Sequence, residues 1–240
     1  MLKAILFDLD GTLLDLDGDA FLEAYIDGLS HELHPWVSEA AFRQALWSAA
    51  VAAMTKSHPN STNQEVLVQS LGEQLDVSPG DLLQRIEHFN HTKVHSVLPG
   101  GQPRPGARHA VEAAQSLGLK VAVATTPIYG APVIQERLRR ARLDDIHWDL
   151  IATDRFCSTK PHPDFFREVA LRLDVAPDDC LMVGDDAFND LSASNVGMAT
   201  FYVGRSMGGL QVGDQGTLFD VQRLLQHEDF PRRPYKSPPK

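Results

Sequence analysis

The sequence predicts an α/β protein with a Rossmann-like parallel sheet at its core and an all-helical segment inserted after the first strand. Two observations on the 240 residues predict this class. Short, almost continuously apolar runs alternate with amphipathic helical runs, which is typical of parallel strands that are covered on both faces. Between the first two apolar runs, a long stretch contains only helical patterns and no strand.

Five apolar runs make up the predicted strands, which are Ala4–Leu9, Lys120–Thr125, Asp149–Thr153, Cys180–Gly184 and Met198–Val203. Four helical patterns separate or follow them, and these are Ala107–Leu117, Val133–Arg142, Pro163–Asp174 and about Asn189–Asn195. In an open parallel sheet, ligands bind at the carboxyl ends of the strands. The polar residues that follow these strands are therefore the candidates for a site.

The stretch between the first two strands is predicted to hold four helices. Phe21, Tyr25 and Leu29 recur at helical spacing in the first of them. The fourth begins at Ser78 and Pro79, which suit an N-cap and a first helical position. Turn-forming sequences, "DLDGD" and "VLPGGQPRPG", flank the stretch. We therefore expect a catalytic core of residues 1–15 and 98–226, a helical cap of residues 16–97, and a disordered, proline-rich tail of residues 227–240.

The composition narrows the class of partner. A formal net charge of −10 argues against a nucleic-acid surface and against binding to an anionic membrane. No apolar run is long enough to span a bilayer, and the first residues do not form a signal peptide. The two cysteines, Cys157 and Cys180, lack the spacing of metal ligands. We expect a cytoplasmic protein whose partner is a small molecule.

The tetrapeptide DLDG occurs twice near the start, at Asp8–Gly11 and Asp15–Gly18. The first copy ends a buried strand, where alternate side chains share a face, so Asp8 and Asp10 can reach one site. An aspartate can attack phosphorus, and a second carboxyl can exchange a proton with the leaving oxygen. An acidic turn is the alternative reading. A calcium-binding EF-hand loop fails in both registers, because the required glycine and glutamate are missing at its sixth and twelfth positions.

Other strand ends supply further polar residues. Thr125 and Thr126 follow the second strand and can donate hydrogen bonds to a phosphate, although threonine at such a position is more often only a strand former. Lys160 precedes the helical pattern Pro163–Asp174 and can balance negative charge in a site that holds carboxylates and a phosphate. Asp185 and Asp186 follow the fourth strand, where either can complete a metal site.

The remaining aspartates of these motifs are interpreted as structural. Asp17 or Asp19 suits the N-terminus of the helix that follows the second DLDG, and Asp190 suits the start of the helix after the fourth strand. The first copy of DLDG is therefore the predicted site, and the second is predicted to be a turn.

Four motifs follow one another along the chain: "FDLDGTL", "VAVATTP", "STKPHPDFF" and "LMVGDDAFNDLSASNVGM". In this order they resemble the four motifs of the haloacid dehalogenase (HAD) superfamily, and the inserted helices resemble the cap that phosphatase-like members carry between the first two motifs. The resemblance covers most of the predicted core. It implies that Asp8 is the nucleophile, that Asp10 is the general acid and base, that Thr125 binds the phosphoryl group, and that Lys160 balances charge.

The same resemblance implies a cofactor, Mg²⁺. Its ligands would be the Asp8 side chain, the Asp10 backbone carbonyl and an acidic residue of the fourth motif, for which Asp185 is favoured over Asp186. Many relatives have asparagine where this chain has Thr126. The expected substrate-binding residues are Gly11, Thr12, Thr125 and Thr126.

The function implied by the resemblance is a Mg²⁺-dependent phosphomonoester hydrolase that acts on a small phosphorylated metabolite through an aspartyl-phosphate. A leaving alkoxide needs the proton that Asp10 can give, whereas a leaving halide needs none, so dehalogenation is disfavoured. A sugar phosphomutase and a non-catalytic phosphate-binding module on the same fold remain as alternatives.

Overall fold

The structure is a computed structural model that describes residues 1–34, 36–55, 57–204 and 214–227. Its strands are β1 (Ala4–Phe7), β2 (Leu14–Asp15), β3 (Gln102–Pro103), β4 (Lys120–Val123), β5 (Leu150–Ile151), β6 (Cys180–Gly184), β7 (Ala199–Tyr202) and β8 (Asp214–Gln215). Its α-helices are α1 (Gly18–Leu33), α2 (Glu39–Thr55), α3 (Asn63–Leu75), α4 (Pro79–Thr92), α5 (Val94–Val97), α6 (Ala107–Ser116), α7 (Ala131–Arg140), α8 (Pro163–Arg172) and α9 (Leu218–Gln226). Two short 3₁₀ helices span Pro177–Asp179 and Leu191–Val196.

A parallel sheet forms the centre of the fold. Within the described residues its six strands follow the order β5–β4–β1–β6–β7–β8, while β2 and β3 form a separate antiparallel ribbon. β1 lies between β4 and β6, with Ile5 opposite both Val121 and Leu181. The carboxyl ends of these three strands therefore lie side by side. This arrangement confirms the predicted α/β class and its parallel sheet.

Helices cover both faces of the sheet. Ile5 and Phe7 belong to an apolar cluster that includes residues of α6, α7 and α9, whereas Leu6 belongs to a second cluster that includes residues of α8. Successive residues of a strand point to opposite faces, so a strand that is buried on both faces needs apolar side chains at every position. This is the physical reason that the central strands read as unbroken apolar runs in the sequence.

The helices α1 to α5 follow β2 and precede β3, and they share an apolar cluster that includes Phe21, Leu71 and Phe89. Val133 of α7 belongs to the same cluster. Tyr129 packs against this cluster and also against the cluster of the sheet that contains Ile5 and Phe7. The helical segment therefore packs on the sheet domain beside α7. The division into a core and a cap, with boundaries between residues 15 and 16 and between 97 and 98, stays a prediction.

A second contact joins the helical segment to a loop of the core. The backbone N–H of Asn63, at the start of α3, donates to Phe156 O at 2.7 Å. Its side-chain Nδ2 donates to Pro127 O at 2.9 Å and to Ser158 O at 3.1 Å. The loop that contains Phe156 and Ser158 leads directly to Lys160, so the position of α3 supports the segment that carries the lysine.

The elements differ from the predicted ones mainly at their ends. All five predicted strands occur, and four of them are shorter than predicted. The predicted helix over Asn189–Asn195 is the 3₁₀ helix Leu191–Val196. The elements that were not predicted are the short strands β2, β3 and β8, the helices α5 and α9, and the 3₁₀ helix Pro177–Asp179. Of the predicted tail, residues 228–240 lie outside the described residues. No described helix has the length and apolar character needed to cross a membrane. The cytoplasmic location stays a prediction.

Candidate active site

A pocket of about 210 Å³ opens where the carboxyl ends of β1, β4 and β6 meet. Each of these strands is followed within two residues by a polar residue of the predicted site, which is Asp8 after β1, Thr125 after β4 and Asp185 after β6. The residues that line the pocket are Asp8, Asp10, Thr125, Thr126, Tyr129, Arg137, Lys160, Asp185, Asp186, Asn189 and Asp190. The structure therefore brings together the predicted catalytic and metal-binding residues, and it adds four that the sequence did not assign to the site.

Lys160 joins two carboxylates in the interior of the pocket. Its Nζ donates to Asp8 Oδ1 at 2.7 Å and to Asp190 Oδ1 at 2.6 Å. Lys160 is 4% exposed and Asp190 is 0% exposed. Burial alone favours the neutral amine, but the charges of Asp190 and Asp8 outweigh it and raise the pKa of Lys160. The lysine is therefore a fixed ammonium that neutralises part of the acidic site.

Asp185 is held beside Asp8 by the turn that follows β1. Thr12 Oγ1 donates to Asp185 Oδ1 at 3.0 Å. Gly11 has a φ of +84°, and a Cβ placed on it would lie 2.2 Å from Asp185 Oδ2. Both the backbone conformation and the space therefore require glycine at this position. Burial, and after it the negative charge of Asp8, raises the pKa of Asp185 to about 6, against the opposing effect of Thr12.

The donor set of the pocket fits a divalent cation. Asp8, Asp185 and Asp190 each offer one carboxylate oxygen, and these oxygens lie within 4.8 Å of one another. Among the described residues, five carboxylates and two cationic side chains line the pocket, so an uncompensated negative charge would repel a phosphate. Oxygen ligands and a phosphate are the environment that Mg²⁺ prefers in proteins. A cation held by these carboxylates would remove the repulsion.

The two aspartates of the fourth motif lie in different environments. Asp186 Oδ1 accepts from the backbone N–H groups of Phe188 and Asn189, at 2.8 and 2.9 Å, so its carboxylate stabilises the local turn. Among the described residues the carboxylate cluster contains Asp185 and Asp190 but not Asp186. The sequence-based assignment of Asp186 to the metal is thus less well supported by the geometry than that of Asp185.

Asp190 was interpreted from the sequence only as a helix cap, and its side chain does not act as one. It stands before the 3₁₀ helix Leu191–Val196 without a side-chain capping bond. Its Oδ1 accepts from Lys160 and its Oδ2 accepts from the backbone N–H of Asp186 at 3.0 Å. A Cβ on Gly184 would lie 2.1 Å from Asp190 Oδ2, so the end of β6 is shaped around this carboxylate. Burial, and to a smaller degree Asp8, raises its pKa against the opposing charge of Lys160.

Asp10 pairs with Arg137, which the sequence analysis missed. Arg137 Nη1 donates to Asp10 Oδ2 at 2.6 Å, and the arginine is 1% exposed. Burial, and then the charge of Asp8, raises the pKa of Asp10, whereas Arg137 counteracts the rise. A signal for the arginine was present in the sequence: Arg137 follows Val133 and Ile134 on α7 at the spacing of a buried helical face.

The threonines and the second DLDG complete the assignment. Thr125 and Thr126 follow β4 and line the pocket, with Thr125 buried.

Asp17 is the N-cap of α1, and its side chain accepts from the backbone N–H of Ala20 at 3.0 Å. Asp15 lies in the β2–β3 ribbon. The second copy therefore lies at the junction of β2 and α1, where Asp17 caps the helix, and its residues are not among those that line the pocket. The helix cap was predicted, whereas the predicted turn is instead this junction.

Known proteins resemble this chain along most of its length. The family model for haloacid dehalogenase-like hydrolases matches residues 2–197. A glyceraldehyde 3-phosphate phosphatase of Pyrococcus abyssi is 29% identical over 207 residues, which are 84% of this chain and 81% of that protein. The pyrophosphatase PpaX of Bacillus cereus (strain 03BB102) is 23% identical over 216 residues, which are 87% of this chain and 86% of that protein.

Solved structures agree with the fold. A HAD phosphatase from Thermococcus onnurineus superposes with a TM-score of 0.55 at 24% identity, covering 93% of this chain and 98% of that one. CbbY from Rhodobacter sphaeroides, solved with phosphate, gives a TM-score of 0.54 at 20% identity and covers 92% of this chain and 96% of that one. At these identities the likeness concerns the fold alone.

Proposed function

The chain belongs to the haloacid dehalogenase-like hydrolases, as its four motifs predicted, and we propose that it is a Mg²⁺-dependent phosphomonoester hydrolase acting on a small phosphorylated metabolite. The observation that carries the proposal is the pairing of Asp8 with a second carboxyl, Asp10, in one pocket that also contains Lys160. Phosphate esters need both a nucleophile and a proton donor for the leaving oxygen. The phosphatase names of the relatives support the same class of reaction.

In the proposed first step, a carboxylate oxygen of Asp8 attacks phosphorus and the bond from phosphorus to the ester oxygen breaks. The electron pair of that bond goes to the leaving oxygen, which takes a proton from Asp10. Asp10 Oδ2 accepts a hydrogen bond from Arg137, whereas Oδ1 has no partner among the described residues. Oδ1 is therefore the oxygen on which a proton is compatible with the existing hydrogen bond.

In the proposed second step, water attacks phosphorus and gives its proton to the Asp10 carboxylate. The bond from Asp8 to phosphorus breaks, and its electron pair returns to the Asp8 carboxylate. Lys160 stays bonded to Asp8 Oδ1 and offsets charge. When bound, Mg²⁺ would be held by Asp8 and Asp185 and would supply positive charge opposite the phosphoryl oxygens. Both oxygens of Asp190 already accept hydrogen bonds, so we assign it to orienting Lys160.

The proposal is tested by phosphate release from purified protein with Mg²⁺. The substrates are an activated aryl phosphate and a panel of phosphorylated metabolites that includes glyceraldehyde 3-phosphate and inorganic pyrophosphate. We expect phosphate release that EDTA abolishes, that Asp8→Asn abolishes, and that the matched variant Asp15→Asn retains. Folded protein that binds Mg²⁺ but releases no phosphate would favour a binding module. Phosphate that appears on a second hydroxyl of a sugar would favour a phosphomutase.

A further inference from the structure

Arg137 is a large, buried cation in the wall of the candidate active site. It extends from α7, it is 1% exposed, and it lines the same pocket as Asp8 and Lys160. Charged side chains are almost never buried to this extent unless they are paired. Its partner in the structure is Asp10, whose Oδ2 lies 2.6 Å from Arg137 Nη1.

Two aromatic rings contact the guanidinium group. The Arg137 Cζ lies 4.3 Å from the ring centre of Phe21 and 4.4 Å from that of Tyr129. Phe21 belongs to α1 of the helical segment, whereas Tyr129 belongs to the loop between β4 and α7. The two ring centres are 5.5 Å apart and the rings are nearly perpendicular, so they lie on adjoining sides of the guanidinium. A planar, delocalised cation makes favourable contacts with aromatic rings, and a lysine ammonium could not reproduce them. The two contacts restrict the position of the guanidinium.

Among the described residues, one hydrogen bond joins the side chains of Arg137 and Asp10, so this bond controls how the two groups are oriented. Arg137 Nε and Nη2 are buried and have no partner among the described residues, and the same is true of Asp10 Oδ1. The bond from Nη1 to Oδ2 is therefore the contact that sets the rotation of the Asp10 carboxyl. It also decides which oxygen is free to carry a proton.

We propose that Arg137 is a positioning residue, which its contacts with the Phe21 and Tyr129 rings hold in place so that it orients the Asp10 carboxyl for proton transfer to the leaving oxygen. This inference rests on the proposed function, because it concerns the acid that the phosphatase reaction uses. Arg137 need not touch the substrate. It acts through Asp10, by holding Oδ2 and leaving the proton to Oδ1.

The alternative is that Arg137 only ties α1 to the core. The two roles differ in how a variant responds to the leaving group. An alkyl phosphate expels a basic alkoxide that needs a proton, whereas 2,4-dinitrophenyl phosphate expels a stable anion that does not. Loss of a positioned acid slows the first reaction selectively. Loss of a structural tie slows both reactions alike.

The experiment compares kcat/KM for the most rapidly hydrolysed alkyl phosphate of the panel with kcat/KM for 2,4-dinitrophenyl phosphate. This ratio reports the steps up to departure of the leaving group and excludes the second step, which both esters share. Arg137→Lys is expected to lower kcat/KM for the alkyl ester by about 100-fold, the lower end of the range for general acid catalysis. We expect its kcat/KM for the aryl ester to fall by less than about fivefold, since the departure of this leaving group needs no proton. The matched control is Arg139→Lys, on the same helix but largely exposed and paired with Glu136, which should change neither value.

A second comparison shows whether Arg137 acts through Asp10. Residues that act as one unit are not additive, so the Arg137→Lys/Asp10→Asn protein should be no slower on the alkyl ester than Asp10→Asn alone. If Arg137→Lys does not fold, Phe21→Leu provides the same test. It removes one of the two ring contacts while Arg137 stays in place, and a smaller but equally selective loss is expected.

Three results would overturn the inference: equal losses on both esters in the variant tested, multiplied losses in the double variant, or a wild-type protein that hydrolyses aryl but no alkyl phosphates. A wild-type protein that hydrolyses neither class of ester would instead refute the proposed function itself. The two failures are therefore distinguishable.

Discussion

Replacing Lys160 with methionine removes the ammonium that joins Asp8 to Asp190. The aliphatic part of the side chain is retained, so the variant tests the charge and its hydrogen bonds rather than the packing. Both carboxylates remain buried: Asp8 is 7% exposed and Asp190 is 0% exposed. Asp190 is enclosed by protein and Asp8 meets water only through the pocket, so the variant leaves buried negative charge uncompensated.

The size of the effect follows from the burial of all three groups. Removing one member of a buried ion pair destabilises a protein by about 3–5 kcal/mol, because the remaining charge has no partner. Burial already raises the pKa of Asp190, so this carboxyl can take up a proton and relieve part of the loss. We therefore expect a loss of about 3–4 kcal/mol in the free energy of unfolding at neutral pH. For a chain of this size that corresponds to a fall in Tm of roughly 10 °C.

The assay is urea-induced unfolding followed by circular dichroism in buffer that contains EDTA, so that bound metal does not contribute. The control is Lys3→Met, which removes an exposed lysine from a surface pair with Asp179 and should change stability only slightly. The double variant Lys160→Met/Asp190→Asn should recover part of the lost stability, since it removes a stranded charge. A Lys160→Met protein as stable as the Lys3→Met protein would refute the reasoning, and so would additive losses in the double variant.

Three further predictions concern the turn, the interior and the helix cap. Gly11→Ala should raise the Mg²⁺ concentration needed for half-maximal phosphate release, because the new Cβ displaces Asp185. The control is Gly100→Ala, whose new Cβ meets nothing within 4 Å and should leave this concentration unchanged. Equal Mg²⁺ dependence in the two variants would contradict the prediction. Burial raises the pKa of Asp154, so its contribution to stability is present below its unfolded pKa and is lost as the pH rises through the folded value. Asp154→Asn should therefore raise Tm at pH 8, and this gain in Tm should disappear near pH 3.8, the ordinary pKa of an aspartate. Thermal scans that show the same difference in Tm at both pH values would disprove the prediction. Asp17→Ala should cost about 1 kcal/mol of stability, as loss of an N-cap does, with kcat unchanged; an inactive but folded Asp17→Ala protein would show that the second DLDG takes part in the reaction.

The fold was predictable where burial alone decides the residue type. β1 and β6 are covered on both faces, so their sequences are apolar at every position and stand out as strands. β8 has only two residues, Asp214–Gln215, and no apolar pattern, and its pairing with β7 is visible only once the sheet is assembled. The helix α9 was predictable in principle, since Leu218, Val221 and Leu225 lie on one buried face.

The site was predictable to the extent that one geometric rule governs it. Parallel strands end at a common edge, so Asp8, Thr125 and Asp185 could be grouped from their places in the sequence alone. Asp190 and Arg137 could not be placed in this way. An aspartate before a helix is usually a cap, and an arginine on a helix is usually solvated, and only tertiary packing turns these two toward the pocket. The missed residues are thus the ones whose role depends on contacts between distant parts of the chain.

The central claim is that Asp8 becomes phosphorylated during turnover. The most direct measurement is mass spectrometry of peptides from enzyme that is quenched in acid while it hydrolyses an activated aryl phosphate with Mg²⁺. We expect one phosphoryl group on Asp8 of the wild-type protein, retained in Asp15→Asn and absent from Asp8→Asn. Steady phosphate release without any phosphoryl group on Asp8, or with the group on another residue, would contradict this mechanism.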